Sequence, residues 1–258
     1  MLFDSHNHLQ SEKFTQSTAD LITQMKNQGV CGCVVNATRE EDWDRVSLLV
    51  TEHQGYVRPA YGIHPWFAHT VRDGWELRLR ARLEKNPEAS LGEIGLDRWV
   101  KHPSIDVQFD VFLKQVEIAA EMERPMTVHC LKAWEELFFA IDQAPAWPQK
   151  FLMHSFAGSI EIAQRLMKKG AWFSFSGYFL EPRKSKVLEM FCQLDPKRIL
   201  LETDAPDMLP PKDMIKFPLQ DSINHPANLI NIAEAFSVAT SQSILERIME
   251  NSRDFWEL

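Results

Sequence analysis

The sequence alternates short apolar segments, rich in β-branched and aromatic residues, with longer segments of helical periodicity. This alternation is typical of α/β proteins, in which helices connect the strands of a parallel sheet. Eight apolar segments, each followed by a helical one, predict an α/β fold of the (β/α)8 TIM-barrel type. The predicted strands lie at 2–3, 31–35, 57–62, 89–94, 126–128, 151–153, 171–175 and 199–201.

The connecting segments at 109–120, 160–167 and 229–236 show the clearest helical pattern, with apolar residues at i, i+3, i+4 and i+7. No linker rich in Gly, Ser or Pro divides the chain. Because barrels of this type commonly run to about 250 residues, we expect residues 1–258 to form a single domain. The Pro-rich stretch 206–226 then reads as a long loop after the eighth strand.

Composition narrows the class of protein. With 45% hydrophobic and 25% charged residues, the chain is an ordinary globular protein and is neither disordered nor collagen-like. Its net charge of −8 argues against a protein that wraps duplex nucleic acid, because such proteins carry a basic face. Local capture of a strand end stays open, because bound metal ions add positive charge that a residue count omits.

Cysteine usage and the N-terminus indicate a cytoplasmic protein with no membrane contact. Four cysteines in 258 residues do not make a disulfide framework, and Cys31 and Cys33 lie in an apolar segment that predicts a buried strand. No apolar stretch reaches the ~18 residues of a membrane span. The first residues are acidic and polar where a secretory leader is basic and then apolar.

Ionisable side chains follow the predicted strands, and this pattern carries the chemistry. In a barrel the carboxyl ends of the strands meet at one face, where active sites lie. Any one of these residues alone is more simply read as a solvated loop residue or a core histidine, but the whole set together predicts a metal site. Imidazole and carboxylate ligands suit Zn, Mn, Fe, Ni or Mg, and two ions about 3.5–4 Å apart can share one carboxylate. The residues are His6, His8, His64, Glu93, His129, His154 and Asp204.

The motifs around these residues resemble, in order, those of the TatD family of metal-dependent hydrolases. The resemblance implies a distorted TIM barrel of the amidohydrolase-like group and metal-dependent DNase activity, often at a 3′ end. The matching motifs are His6-x-His8, Gly62-Ile63-His64-Pro65, Gly92-Glu93-Ile94-Gly95-Leu96-Asp97, Val128-His129, His154-x-Phe156-x-Gly158-Ser159 and Leu201-Glu202-Thr203-Asp204-Ala205-Pro206.

The resemblance also implies a ligand set for two divalent cations, with Mg, Mn and Zn left open. Glu93 bridges the two cations and, with Asp204, is assigned a catalytic role. Asp204 faces the attacking water and is the candidate general base. The remaining implied ligands are His6 and His8, which bind the first cation with Asp204, and His129 and His154, which complete the second.

Further residues are implied to surround the metals or to contact substrate. His64 contacts a substrate phosphate or supports a ligand, and Asp97 and Glu202 orient ligands or, alternatively, make ordinary loop hydrogen bonds. Trp66 either stacks on a base or packs under a loop. Lys132 supplies a point charge close to the position where many family members carry an arginine.

Departures from the family pattern lie around the predicted metal ligands and leave the substrate open. The position two residues after His129, an arginine in many members, is Leu131. A family Asn-Glu-Pro stretch reads Asn224-His225-Pro226, and Asp97 is followed by Arg98-Trp99 where a tyrosine is common.

Three functions therefore follow from the sequence. The first is a two-metal hydrolase of phosphodiester bonds, acting as a 3′–5′ exodeoxyribonuclease on single-stranded DNA. The second is a metal-dependent hydrolase of a carboxyl ester, amide or lactone, since the fold does not fix the reaction. The third is a non-catalytic barrel that serves as an interaction module. No protein partner can be inferred.

Overall fold

A computed structural model describes residues 1–240 and 244–258 of the protein. Its strands form one eight-stranded parallel sheet in the order β1 to β8, so that each strand pairs with the next along the chain. This confirms the predicted TIM-barrel architecture. The strands are β1 Leu2–Asn7, β2 Val30–Asn36, β3 Val57–Tyr61, β4 Ser90–Asp97, β5 Met126–Leu131, β6 Phe151–Met153, β7 Ala171–Ser176 and β8 Ile199–Glu202.

A helix follows each strand. The three segments with the clearest periodicity correspond to α4, α6 and α8, and α4 and α6 begin at the serines Ser104 and Ser159, whose side chains accept hydrogen bonds from the first turn. No helix within the described ranges is long and apolar enough to cross a bilayer. The helices are α1 Thr18–Asn27, α2 Trp43–Glu52, α3 Trp75–Lys85, α4 Ile105–Glu121, α5 Trp134–Gln143, α6 Ile160–Met167, α7 Ser185–Phe191, α8 Leu229–Ala239 and α9 Leu245–Trp256.

Strands β1, β4 and β5 extend three or four residues beyond their predicted ends. The predicted strand bounds placed His6 and His129 after the strands, but both lie within them. The extension has a physical reason: the barrel interior continues past the apolar layer into a polar one, where the strand ladder persists without an apolar pattern. Cys33 is buried in β2 as predicted, but Cys31 on the same strand is only half-buried. The stretch 206–226 forms the predicted loop after β8 and contains short turns.

The barrel closes irregularly between β1 and β8, which accounts for the expected distortion. The buried Asp4 carboxylate of β1 accepts hydrogen bonds from the backbone N and the hydroxyl of Thr203, at 2.9 and 2.6 Å. Backbone hydrogen bonds extend this seam between β1 and the residues after β8. Asp204 N donates to His6 O at 3.0 Å, and His8 N donates to Ala205 O at 2.8 Å. A side chain therefore replaces part of the strand ladder at the point where the first and last strands meet.

The opposite end of the barrel is filled by the C-terminal helix. Phe255 and Trp256 of α9 pack against Phe3 and Trp172 in a separate apolar cluster. Among the described residues this cluster covers the amino ends of the strands, and the polar interior faces their carboxyl ends.

The glycine at position 95 has no room for a side chain. Gly95 has a φ of +148°, and a Cβ there would lie 1.9 Å from the carbonyl oxygen of His129 on β5. The close approach of β4 to β5 at a predicted site residue therefore requires glycine.

We expect Gly95→Ala to lower the free energy of unfolding by about 3 kcal/mol or more, because it adds a backbone clash to an unfavourable φ. Gly29→Ala is the matched control, since Gly29 has a φ of +79° and open space around its Cβ position; we expect a loss of about 1 kcal/mol. Thermal or denaturant unfolding measures both. Equal losses in the two variants would contradict the close approach.

Candidate metal centre at the carboxyl ends of the strands

Six predicted ligands converge at the open end of the barrel, although they are far apart in sequence. Three lie within strands, and three lie in the residues that directly follow strands. Five of the six are buried, and His129 is half-buried. They are His6 in β1, His8 after β1, Glu93 in β4, His129 in β5, His154 after β6 and Asp204 after β8.

A first group of ligand atoms surrounds Oε2 of Glu93. Nε2 of His6 and Nε2 of His8 lie 3.3 and 3.2 Å from this oxygen, and both lie 3.4 Å from Oδ1 of Asp204. The two imidazole nitrogens are 3.2 Å apart. Two nitrogens and two carboxylate oxygens, all at this spacing, form a donor set suited to a divalent cation.

A second group surrounds the other oxygen of the same carboxylate. Oε1 of Glu93 lies 2.8 Å from Nε2 of His154 and 3.1 Å from Nδ1 of His129. These two nitrogens are 3.2 Å apart. The Glu93 carboxylate thus presents one oxygen to each group.

Hydrogen bonds on the far side of the rings orient two of these imidazoles. Nδ1 of His8 lies 2.7 Å from the backbone O of Asn36, and Nε2 of His129 lies 3.1 Å from Oδ2 of Asp97. Each acceptor requires a proton on the nitrogen that faces it, so the other nitrogen, which faces Glu93, is the one that can bind a cation. Metal-binding histidines in proteins usually have such a partner.

His64 also approaches Glu93, but the nitrogen that faces the carboxylate is a hydrogen-bond donor. Its Nδ1 accepts a hydrogen bond from the backbone N of Trp66 at 3.2 Å, and its Nε2 lies 3.2 Å from Oε1 of Glu93. Burial lowers the pKa of His64 to about 4 despite the opposing effect of Glu93. A neutral ring that accepts at Nδ1 carries its proton on Nε2. His64 therefore points a hydrogen-bond donor into the centre, whereas His8 and His129 point towards it a nitrogen that can bind a cation once its proton is lost.

The carboxylates and imidazoles stabilise each other's charge. Burial opposes ionisation of Glu93 and Asp204, but the surrounding histidines outweigh it and hold both pKa values well below the usual range. Burial likewise opposes protonation of His8, but hydrogen bonds to Asp204 and Glu93 outweigh it and raise the pKa of His8 to about 10. Burial also opposes protonation of His154, but the negative charges of Glu93 and Glu202 outweigh it and raise the pKa of His154. The positive charge that balances the carboxylates thus comes from protons on imidazole nitrogens that can bind a cation instead.

Glu202 supports the loop that carries His154. Its Oε1 accepts from the backbone N and the hydroxyl of Ser155, at 2.7 and 2.6 Å, and its Oε2 accepts from the hydroxyl of Ser174. Oε1 also lies 3.7 Å from Nδ1 of His154. Glu202 is therefore placed to orient a ligand.

Asp97 joins the centre to its rim. Its carboxylate contacts His129, as described above, and accepts hydrogen bonds from Nε1 of Trp66 at 2.7 Å and from the backbone N of Trp99 at 2.6 Å. Lys132 does not reach the ligands; its Nζ lies 4.3 Å from the centre of the Trp99 ring. Lys132 is thus on the rim, near the exposed tryptophans.

Some supporting residues were not predicted from the sequence. The carbonyl of Asn36 gives no sequence signal, because every residue has one. Ser155 and Ser174 lacked a recognisable motif. Asp4 lies two residues before the His6-x-His8 motif, and this proximity marks the residue but not its role in closing the barrel. A cavity of about 700 Å³ between the turn after β7 and the loop after β8, lined by Tyr178 and Pro206 among others, was also not anticipated.

Comparison with known proteins agrees with this geometry. The family model described as TatD related DNase matches residues 3–257. The chain is 28% identical, over the full length of both proteins, to the "Uncharacterized metal-dependent hydrolase YabD" of Bacillus subtilis and to the "3'-5' ssDNA/RNA exonuclease TatD" of a Pantoea species. The crystal structure of the TatD homologue YjjV from Escherichia coli superposes with a TM-score of 0.86 at 24% identity, covering 100% of this chain and 98% of that one. The protein belongs to the TatD-related family of metal-dependent hydrolases.

Proposed function

We propose that the protein is a two-metal phosphodiesterase that removes nucleotides from the 3′ end of single-stranded DNA. The observation that carries the proposal is the Glu93 carboxylate, whose two oxygens face two separate groups of ligand atoms. Two cations that share a carboxylate suit the displacement of one oxygen by another at phosphorus. The name of the Pantoea relative supports the substrate class.

The residues fit two cations. In this assignment His6, His8 and Asp204 would hold one cation, two further imidazoles would hold the other, and the Glu93 carboxylate would be shared between them. Nδ1 of His6 is buried without a hydrogen-bond partner among the described residues, so Nε2, which faces Glu93 and Asp204, makes the polar contacts of this ring. A set rich in nitrogen favours Zn²⁺ over Mg²⁺ and Mn²⁺, which prefer oxygen ligands. The second pair is His129 and His154.

The side chains of the centre then have distinct tasks in the reaction. Divalent cations, when bound, lower the pKa of water and neutralise phosphate charge. Asp204 is ionised at neutral pH and accepts the proton of the attacking water. The Nε2–H of His64 donates to a non-bridging phosphate oxygen. The new P–O bond forms as the bond from phosphorus to the 3′ oxygen breaks, which releases a nucleoside 5′-monophosphate.

We place this activity in the cytoplasm, because the four cysteines are free and one of them is buried in a strand. The substrate enters from the open end of the barrel, since the other end is closed by Phe255 and Trp256. Single-stranded DNA or another phosphodiester is the proposed partner, and the barrel is proposed to act as one unit.

Metal binding is expected to release protons. At pH 7.5 the metal-free protein holds a proton on His8, whose pKa is about 10, and a cation must displace it. Calorimetric titration of chelator-treated protein with Zn²⁺, in two buffers of different ionisation enthalpy, measures the number of protons released on binding. We expect about one proton or more per protein, and an affinity that falls about tenfold per pH unit for each proton on acidification.

His8→Gln is expected to reduce this proton release and to weaken binding. His69→Gln, which changes an exposed histidine of the loop after β3, is the control and is expected to match the unchanged protein. Binding heats that are independent of the buffer would contradict the assigned protonation.

Glu93→Gln and Asp204→Asn are each expected to lower the rate of DNA hydrolysis by about 100-fold or more, since each removes a ligand and Asp204 also accepts the proton. The assay uses 5′-labelled single-stranded DNA with Mg²⁺, Mn²⁺ or Zn²⁺ added separately to chelator-treated protein. Asp142→Asn, an exposed position on α5, is the control and is expected to retain activity.

The proposed function predicts a ladder that shortens from the 3′ end, present only with metal. A ladder that persists in the folded Glu93→Gln variant would contradict the role of the bridging carboxylate. Intact DNA with every metal, together with hydrolysis of carboxyl esters or lactones by the same samples, would replace the phosphodiesterase proposal with the second hypothesis.

A further inference from the structure

Two tryptophans are exposed on the rim of the metal centre. Trp66 follows β3 and Trp99 follows β4, and their exposed fractions are 46% and 66%. Indole rings are large and apolar, and leaving two of them exposed at one mouth sacrifices burial that the fold could use elsewhere. The ring of Trp66 lies beside that of His64, with the centroids 5.2 Å apart. The exposed surface is therefore continuous with the site.

Both tryptophans are fixed by one carboxylate. Asp97 accepts from the indole N–H of Trp66 through Oδ2 and from the backbone N of Trp99 through Oδ1. Oδ2 also lies 3.1 Å from Nε2 of His129. Because the same side chain holds the rim and a predicted metal ligand, the Trp66 indole and the Trp99 backbone keep a fixed position relative to the centre.

The ammonium group of Lys132 also lies on this part of the rim. Nζ of Lys132 lies 4.3 Å from the centre of the Trp99 ring, and Lys132 forms no ion pair with any residue in the described part of the chain. Its neighbour on the rim, Arg98, is bound to Glu136. Lys132 thus retains a positive charge for an incoming ligand.

The distribution of charge favours a polyanionic ligand that binds at the rim rather than over the rest of the surface. The whole chain carries a net charge of −8, so a nucleic acid approaching most of its surface is repelled. An ammonium group stacked on an exposed indole offers contacts to a phosphate and to a base at the same place.

We propose that Trp66, Trp99 and Lys132, termed the rim platform, bind the single strand on the side of the scissile bond away from its 3′ end. Bases stack on the two indole rings, and Lys132 contacts a backbone phosphate. This inference rests on the proposed function and adds to it a preference for single strands of several nucleotides. Stacking on one aromatic ring contributes about 5- to 150-fold in affinity.

The test compares a long substrate with one too small to span the site and the platform. The substrates are dT12 and bis(p-nitrophenyl) phosphate, and the variants are Trp99→Ala and Lys132→Gln. We expect each variant to raise the KM for dT12 by about fivefold or more relative to its effect on the small diester. Trp66 is left unchanged, because its N–H also holds Asp97.

Phe139→Ala is the matched control. Phe139 is another exposed aromatic residue, 55% exposed on α5, outside the rim. We expect this variant to leave the KM for both substrates unchanged. Equal effects of Trp99→Ala on dT12 and on the small diester would overturn the rim platform, because a general disturbance of the site does not depend on strand length.

Binding without turnover separates the two proposals. Fluorescence anisotropy of labelled dT12 in the presence of chelator measures strand affinity when no hydrolysis takes place. If wild-type protein binds dT12, Trp99→Ala weakens binding about fivefold or more, and no metal supports cleavage, then the rim platform stands and the proposed function fails. If cleavage is normal and Trp99→Ala changes neither KM nor binding, the rim platform fails and the proposed function stands.

Discussion

The Glu93 carboxylate must be ionised in the interior of a protein, and this requirement determines what surrounds it. An ionised carboxylate out of water costs several kcal/mol unless charged or hydrogen-bonded partners compensate. Here imidazole nitrogens from four strand ends approach its two oxygens within 2.8–3.3 Å. Those imidazoles are themselves buried and need the carboxylate in turn. The polar layer of the barrel is therefore a cooperative unit, whose members are Glu93, His6, His8, His64, His129 and His154.

Much of this arrangement could be predicted from the sequence, because both the strands and the ligands carry local signals. Apolar segments and helical periodicity locate the elements, and the topology of a barrel brings the strand ends together. The closure at Asp4, the carbonyl of Asn36 and the direction of Lys132 could not be predicted. A carbonyl has no residue-specific signal, and a long side chain takes its direction from neighbours that only the fold supplies. The predicted strands β1, β4 and β5 end too early for a related reason, because the polar layer lacks the apolar pattern from which strands are predicted.

Three residues of the site and its rim have a strained backbone. Asp204, Ser155 and Lys132 have φ values of 51°, 41° and 56°, a region that residues other than glycine seldom adopt. Each such residue costs about 1–3 kcal/mol and persists only where its surroundings enforce it. For Ser155 the enforcing group is Glu202, and for Asp204 it is the seam with β1. The placement of polar groups is thus maintained at the expense of backbone energy.

The seam between the first and last strands has a consequence for the order of folding. Asp4 and Thr203 are separated by 199 residues, and the strands that they join carry His6 and Asp204. Contacts between segments so far apart form slowly, because a long loop must close before they yield any stabilisation. During synthesis, β1 emerges early and has no edge partner on one side until β8 has been made. The chemistry of the protein is therefore one of the last properties that the nascent chain acquires, and the exposed edge of β1 is the part that must be protected from aggregation while it waits.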